Sequence, residues 1–260
     1  PIRQSGIYFG ERYDALKEMP GWNQPGFCGT GWLPVKILPY PDGAQNATLV
    51  AQNNEPIRVV EELLPKKITE PRPGVYLFDM GQNMVGWCRL KADAPPGTKI
   101  TLRHAEILNE DGTLYTDNLR GAAQINEYVW KGGETTMEPH FTYHGFRYVE
   151  LTGLPGKPAH DAIVGRVFHS AAPKAGDFEC SNELINKIMH NIKWGQKGNM
   201  PSVPTDCPQR TERLGFLGDM QSFAQTAIFN MDMAGFFTKW IKDIRDSQTE
   251  EGRFPILAPH

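Results

Sequence analysis

Apolar residues in this chain follow two rhythms, and the change between them limits what the chain can fold into. From about residue 66 to Ala172 they recur at every second position, after a first stretch of 65 residues with only short apolar runs. In the stretch 98–103, Ile100 and Leu102 share one face; in 146–151, Arg147, Val149 and Leu151 alternate with Phe146, Tyr148 and Glu150. A period of about two residues is that of a strand with one buried side. Beyond Ser181 the spacing becomes helical. Leu184, Ile185, Ile188, Met189 and Ile192 form one stripe, and Phe236, Phe237, Trp240, Ile241 and Ile244 form another. Both stripes are expected to face a core, with Ser181 as the cap of the first helix and Glu183 in its first turn. A further helix is expected from Met220 to Phe229.

Punctuation supports the strand half. Asn109-Glu110-Asp111-Gly112 is a hairpin turn, and Pro95-Pro96-Gly97 and Gly132-Gly133 separate further strands. The expected organisation is the end of an N-terminal β module over 1–65, a β-sandwich over 66–172 and a helical part over 173–260. The sandwich is of the size, about a hundred residues, at which such folds are stable.

With 260 residues, 40% hydrophobic and 22% charged, the chain is ordinary globular material. Its formal charge of −3 is dispersed, so no basic stripe points to nucleic acid. No run of about 18 apolar residues points to a membrane span. Four scattered cysteines, Cys28, Cys88, Cys180 and Cys207, contain no C-x-x-C pair and suggest neither a disulfide framework nor a zinc site. The compartment is left open between cytoplasm, periplasm and secretion.

One segment concentrates the chemistry: Asp206-Cys207-Pro208-Gln209-Arg210-Thr211-Glu212-Arg213-Leu214-Gly215-Phe216-Leu217-Gly218-Asp219. Pro208 and two glycines make it poor helix material, and it lacks strand alternation. A loop that gathers Asp206, Glu212 and Asp219 beside Arg210 and Arg213 suits a polar pocket wall, where environment can divide carboxylates into acid and base. The alternative is a solvated loop with surface ion pairs.

The segment resembles the active-site signature of the bacterial α-L-rhamnosidases, glycoside hydrolase family 78. Gly74-Val75-Tyr76-Leu77-Phe78-Asp79-Met80-Gly81-Gln82-Asn83-Met84-Val85-Gly86-Trp87, Leu102-Arg103-His104-Ala105-Glu106, Asp111-Gly112-Thr113-Leu114-Tyr115 and Phe141-Thr142-Tyr143-His144-Gly145-Phe146-Arg147-Tyr148 resemble the signature of the β-sandwich that precedes the catalytic domain in those enzymes. Gly10-Glu11-Arg12-Tyr13-Asp14-Ala15 and Gly21-Trp22 are similar to the end of a preceding module. The resemblance implies an antiparallel, concanavalin-like β-sandwich followed by the first helices of an incomplete (α/α)6 barrel. The 88 positions after Ala172 would hold some three or four of its helices.

It also implies an inverting glycosidase releasing terminal α-L-rhamnose from glycans or glycosides, with no metal or organic cofactor. Glu212 matches the family's general acid. Asp206, Arg210 and Asp219 match groups that bind the sugar, and Phe216 stands where tryptophan usually packs on it. The family's general base is a glutamate far downstream of the signature, beyond these residues. Thr211 departs from the usual acidic residue, and Phe216-Leu217 from the usual Trp-Thr. Two other functions compete: a non-catalytic carbohydrate-binding or interaction module, and an (α/α)6 hydrolase for another sugar. For Asp206 and Asp219 the structural alternative is helix capping.

Weaker patterns are set aside. His104-Ala105-Glu106 has the His-x-Glu of zinc deaminases but no Pro-Cys-x-x-Cys after it. Gly6-Ile7-Tyr8-Phe9-Gly10 is no dinucleotide loop. Asn46-Ala47-Thr48 matches a glycosylation sequon by composition alone. Gln82-Asn83 and Tyr143-His144 are polar groups whose facing the spacing does not decide.

Overall fold

The structure is a computed structural model and describes residues 1–39 and 48–260; Asn46 and Ala47 of the sequon lie outside them. Ten strands come first: β1 Ile2–Gly6, β2 Gly10–Asp14, β3 Ile57–Leu63, β4 Lys67–Arg72, β5 Val75–Ala94, β6 Lys99–Ala105, β7 Ile125–Val129, β8 Gly133–Met137, β9 His144–Thr152 and β10 Ile163–Ser170. Three helices follow, α1 Glu183–Gly198, α2 Leu217–Asn230 and α3 Ala234–Asp246. The switch in period therefore marks a real change of architecture, from a β-sandwich to helices.

β5 is the spine. Its first half pairs with β4 and β9, and its second half with β10 and β8. β9 stays paired on both sides of an irregularity at Met80-Gly81-Gln82-Asn83, where Gly81 takes a positive φ of 75°, while the other edge of β5 passes from β4 to β10. The bulge shifts the side-chain parity of the pair. One departure from simple alternation falls opposite it, for Phe146 is fully buried together with Val149 and Leu151, while Arg147 is turned out. Elsewhere the strand rhythm holds, with Ile100 and Leu102 fully buried. The core gathers Phe78, Met80, Leu90, Ile100, Tyr128 and Trp130 from several strands. The chain continues from β6 through a turn at 109–112, where the Asn109 amide donates to the Thr113 carbonyl at 2.8 Å and Gly112 has φ 81°.

The sheet is antiparallel except at one edge, where β2 runs parallel to β7. β1 and β2 thus extend the same hydrogen-bonded sheet. Gly10 opens β2 with φ 73°, and a Cβ there would lie 1.7 Å from the Ile125 carbonyl oxygen. Beside it, the fully buried Glu11 carboxylate accepts from the Ser5 hydroxyl at 2.9 Å and from the His140 and Phe141 amides at 3.0 and 3.1 Å.

The helices depart from expectation in two respects. The cap of α1 is Asn182 and not Ser181, because the Asn182 Oδ1 accepts from both the Leu184 and Ile185 amides. The α1 stripe is not core: Leu184, Ile185 and Ile188 are 69%, 43% and 48% exposed. The helix instead packs on the sandwich through Trp194 and Gly198, where a Cβ would lie 2.6 Å from Val85 Cγ2. Gln196 is buried and ties α1 to α2, donating to the Ala227 carbonyl and accepting from Asn230. The α3 stripe does turn inward at Phe236, Phe237, Trp240 and Ile244, while Ile241 stays exposed. Among the described residues no helix is long and apolar enough to cross a membrane.

His104 and His144 stack inside the sandwich with centroids 4.2 Å apart, both fully buried. His104 Nδ1 lies 2.9 Å from the Gln124 carbonyl, and His144 Nε2 lies 3.1 Å from Asn126 Oδ1. Burial drives the His104 ring down to about 4 and holds His144 well below its ordinary range. A folded value below the unfolded one means stability is complete above pH 6.5 and is lost as pH falls toward 4. For His104 this amounts to about 3 kcal/mol. Urea titrations between pH 7 and 4 are expected to show that loss, with a shallower slope in His104→Gln/His144→Gln. In the same assay Gly10→Ala is expected to cost more than about 3 kcal/mol, because strain and clash combine. Gly97→Ala, at φ 83° in open space, should cost about 1 kcal/mol.

Candidate active site

Residues 199–216, between α1 and α2, form an irregular loop that lies against the sandwich. Asp206 closes it: its amide donates to the Leu214 carbonyl at 3.1 Å, and its Oδ1 accepts from the Leu214 amide at 3.0 Å. The signature's glycines and proline fit this packing. Pro208 and Gln209 press on Gly145 of β9, where a Cβ would meet them at 3.0–3.1 Å. Gly215 admits the Ala258 carbonyl oxygen, 2.3 Å from where its Cβ would stand. Ala258 also accepts from Trp240 Nε1 at 3.0 Å, so the segment after α3 holds the start of α2.

Arg213 is the buried member of the loop, 3% exposed with φ 58°. Its guanidinium donates to the carbonyls of Ile7, Tyr143, Gln209 and Arg210. It lies over the Tyr143 and Tyr8 rings at 4.9 and 5.7 Å, distances at which cation–π attraction operates. Burial depresses the guanidinium, while burial raises the Tyr143 phenol to about 12.

Glu212 points the other way and keeps 29% of its side chain exposed. Arg120 meets its Oε1 at 2.7 Å, and Arg210 meets its Oε2 at 2.7 Å. The Tyr8 hydroxyl donates to the Glu212 carbonyl at 2.5 Å, and the Thr211 hydroxyl donates to the Arg120 carbonyl at 2.8 Å. Cys207 sits beneath, its Sγ 3.7 Å from Glu212 Oε2 and 3.2 Å from Arg210 Nε. Asp206, Cys207 and Glu212 bring ligand-type atoms within 4.8 Å of one another, and the Arg210 guanidinium already fills part of that space. Burial would raise Asp206, but hydrogen bonds from Cys207 and the Leu214 amide hold it below its usual range. Burial and the Asp206 contact raise the Cys207 thiol.

Asp206, Arg210 and Glu212 thus form one cluster, with Arg210 Nη2 3.9 Å from Asp206 Oδ2. Asp206 and Asp219 share a cleft of about 270 Å³ with Ile192, Asn199 and Phe223. Asp219 stands in the first turn of α2 without capping it by a side-chain hydrogen bond. Phe216 precedes that helix, pairs with Leu257 and does not line the cleft. Gln82 and Tyr143 both face the helical part, Gln82 Oε1 lying 2.9 Å from His190 Nε2 of α1. Sequence reasoning missed Arg120, Tyr8 and the role of Arg213. A positive φ of 50° at Arg120 marks that residue only once the backbone is known.

Three family models match consecutive parts of the chain: the α-L-rhamnosidase N-terminal domain over 1–61, the bacterial α-L-rhamnosidase concanavalin-like domain over 69–169, and the bacterial α-L-rhamnosidase six-hairpin glycosidase domain over 173–260. An α-L-rhamnosidase of Streptomyces avermitilis is 51% identical over the whole of this chain, which spans 25% of that protein. One from Formosa agariphila is 39% identical, with 28% of its length spanned. The crystal structure of the Streptomyces avermitilis enzyme, complexed with L-rhamnose, superposes with a TM-score of 0.93 over the whole chain. That of an α-L-rhamnosidase from Dictyoglumus thermophilum does so with 0.95 at 48% identity, this chain covering 29% of it. The chain thus spans about a quarter of the length of its curated relatives. From the sandwich through the carboxylate loop to α3, this chain belongs to the bacterial α-L-rhamnosidase family, glycoside hydrolase family 78.

Proposed function

We propose that this chain contributes the acid side of an inverting α-L-rhamnoside hydrolysis. The observation that carries the reading is the place of Glu212, a partly exposed carboxyl of the signature loop clustered with Asp206 and Arg210 and touched by the Arg120 and Arg210 guanidiniums. A carboxyl group offers about four lone-pair positions, and each guanidinium uses one. For that role one of the remaining positions must hold a proton in the substrate complex, and this proton passes to the leaving glycosidic oxygen as the bond to the sugar breaks. Asp206, Arg210 and Asp219 supply charged partners for sugar hydroxyls, whose hydrogen bonds to charged groups are strong and directional. Phe216 offers an apolar surface without an indole N–H.

Inversion requires a second carboxylate roughly 6.5–9.5 Å from the first to activate water across the ring. The reading places that base outside these residues. Rhamnose-containing glycosides are the substrates, and the division at 65/66 and 172/173 follows the order of modules, although β1, β2 and β3 hydrogen-bond into the sheet of the sandwich.

Two outcomes test this. In the native gene product, Glu212→Gln is expected to retain rhamnose binding while turnover of alkyl rhamnosides falls by about 10²–10⁴-fold, because an amide has no proton to give. Near-normal turnover would remove Glu212 from the role. The 260-residue chain by itself is expected not to release phenol from an aryl α-L-rhamnoside. Steady release, abolished by Glu212→Gln, would show that the base lies within it.

A further inference from the structure

We infer that Arg120, supplied by the sandwich, is a positioning residue for Glu212, and that Thr211 is its matched partner. The inference rests on the reading of Glu212 as proton donor. Arg120 lies 92 positions before Glu212 in the sequence, at the end of a single 3-10 turn over Asp117–Leu119. Two contacts reach the loop from this one residue. Its guanidinium holds Glu212 Oε1 at 2.7 Å, and its carbonyl accepts the Thr211 hydroxyl at 2.8 Å. The backbone that presents both is left-handed, φ 50°, which a residue with a side chain adopts only when its surroundings impose it.

An ion pair this exposed contributes little to folding, since the Arg120 side chain is 57% exposed. Its effect is on direction. Arg210 alone, gripping Oε2, would leave the carboxyl free to swing about that contact. A second guanidinium on Oε1 fixes its plane, and the Thr211 bond fixes the loop at the adjacent residue. Thr211 stands where the family signature usually has an acid. An ionised carboxylate there could not donate to the Arg120 carbonyl and would be repelled by it. The departure at Thr211 and the position of Arg120 are therefore one device.

The test uses the native gene product with an alkyl α-L-rhamnoside and with 4-nitrophenyl α-L-rhamnoside. An alkoxide leaving group depends on proton delivery and a nitrophenolate hardly does. Arg120→Ala is expected to lower kcat on the alkyl substrate about 10–100-fold, the scale of a slightly misplaced catalytic group, with KM within about twofold. On the nitrophenyl substrate the loss should stay under about threefold. Arg120→Lys should recover part of the loss, Thr211→Val should show a weaker form of the same selectivity, and thermal unfolding should be unchanged. In a Glu212→Gln background, adding Arg120→Ala should cost nothing more. Equal losses on both substrates, or a further loss in that background, would overturn the assignment of Arg120 alone. Full alkyl turnover by Glu212→Gln would overturn the proton-donor reading itself, and this inference with it.

Discussion

A guanidinium buried without a carboxylate is ordinarily a costly object, because its hydration is lost and no opposite charge replaces it. Arg213 meets that cost with four carbonyl oxygens and two tyrosine faces. Those partners come from three places: the turn before β2, the connection into β9 and the loop itself. One cation therefore fastens the N-terminal edge, the sandwich and the carboxylate loop together. Because Arg213 must point inward, its neighbour Glu212 projects outward toward Arg120 and Arg210. The exposure of the Glu212 carboxyl follows from the burial of the adjacent charge.

Much of the signature consequently has an architectural use. Asp206 closes the loop with one oxygen and the amide, leaving the other oxygen toward Arg210. Cys207 packs under the Arg210–Glu212 pair, and Gly215 makes room for a carbonyl from beyond α3. Such anchoring suits a site made of loop, since loops lack the internal hydrogen bonding that fixes helices and strands. The rigid sheet behind the loop supplies what its own backbone cannot.

The periodicities read from the sequence located the sandwich, the change to helix near residue 180 and the inward face of α3, because each depends on local pattern. The motif likewise placed Asp206, Arg210 and Glu212 in one cluster. Features that depend on distant neighbours left no such mark. Phe146, opposite the irregularity at 80–83, lies in the core against its apparent parity with Val149 and Leu151. Asn182 displaced Ser181 as cap because its amide oxygen reaches two N–H groups. The α1 stripe has the spacing of a buried face, yet Trp194 and Gly198 make the contact with the sheet. Tyr8 and Arg120 reach Glu212 across 204 and 92 positions, separations at which no spacing rule applies.

The anchorage of the loop also bears on how the protein emerges from the ribosome. Chains grow from the N-terminus at about 5–20 residues per second, and domains fold as units in that order. Ile7, Arg120 and Tyr143 all leave the exit tunnel before Arg213 is made. The last β10 residue, Ser170, precedes Asp206 by a whole helix, so the sheet has several seconds in which to close. The carboxylate loop then condenses on a surface that already exists, where the Ile7 and Tyr143 carbonyls are in place to receive Arg213. The direction of translation and the direction of dependence coincide.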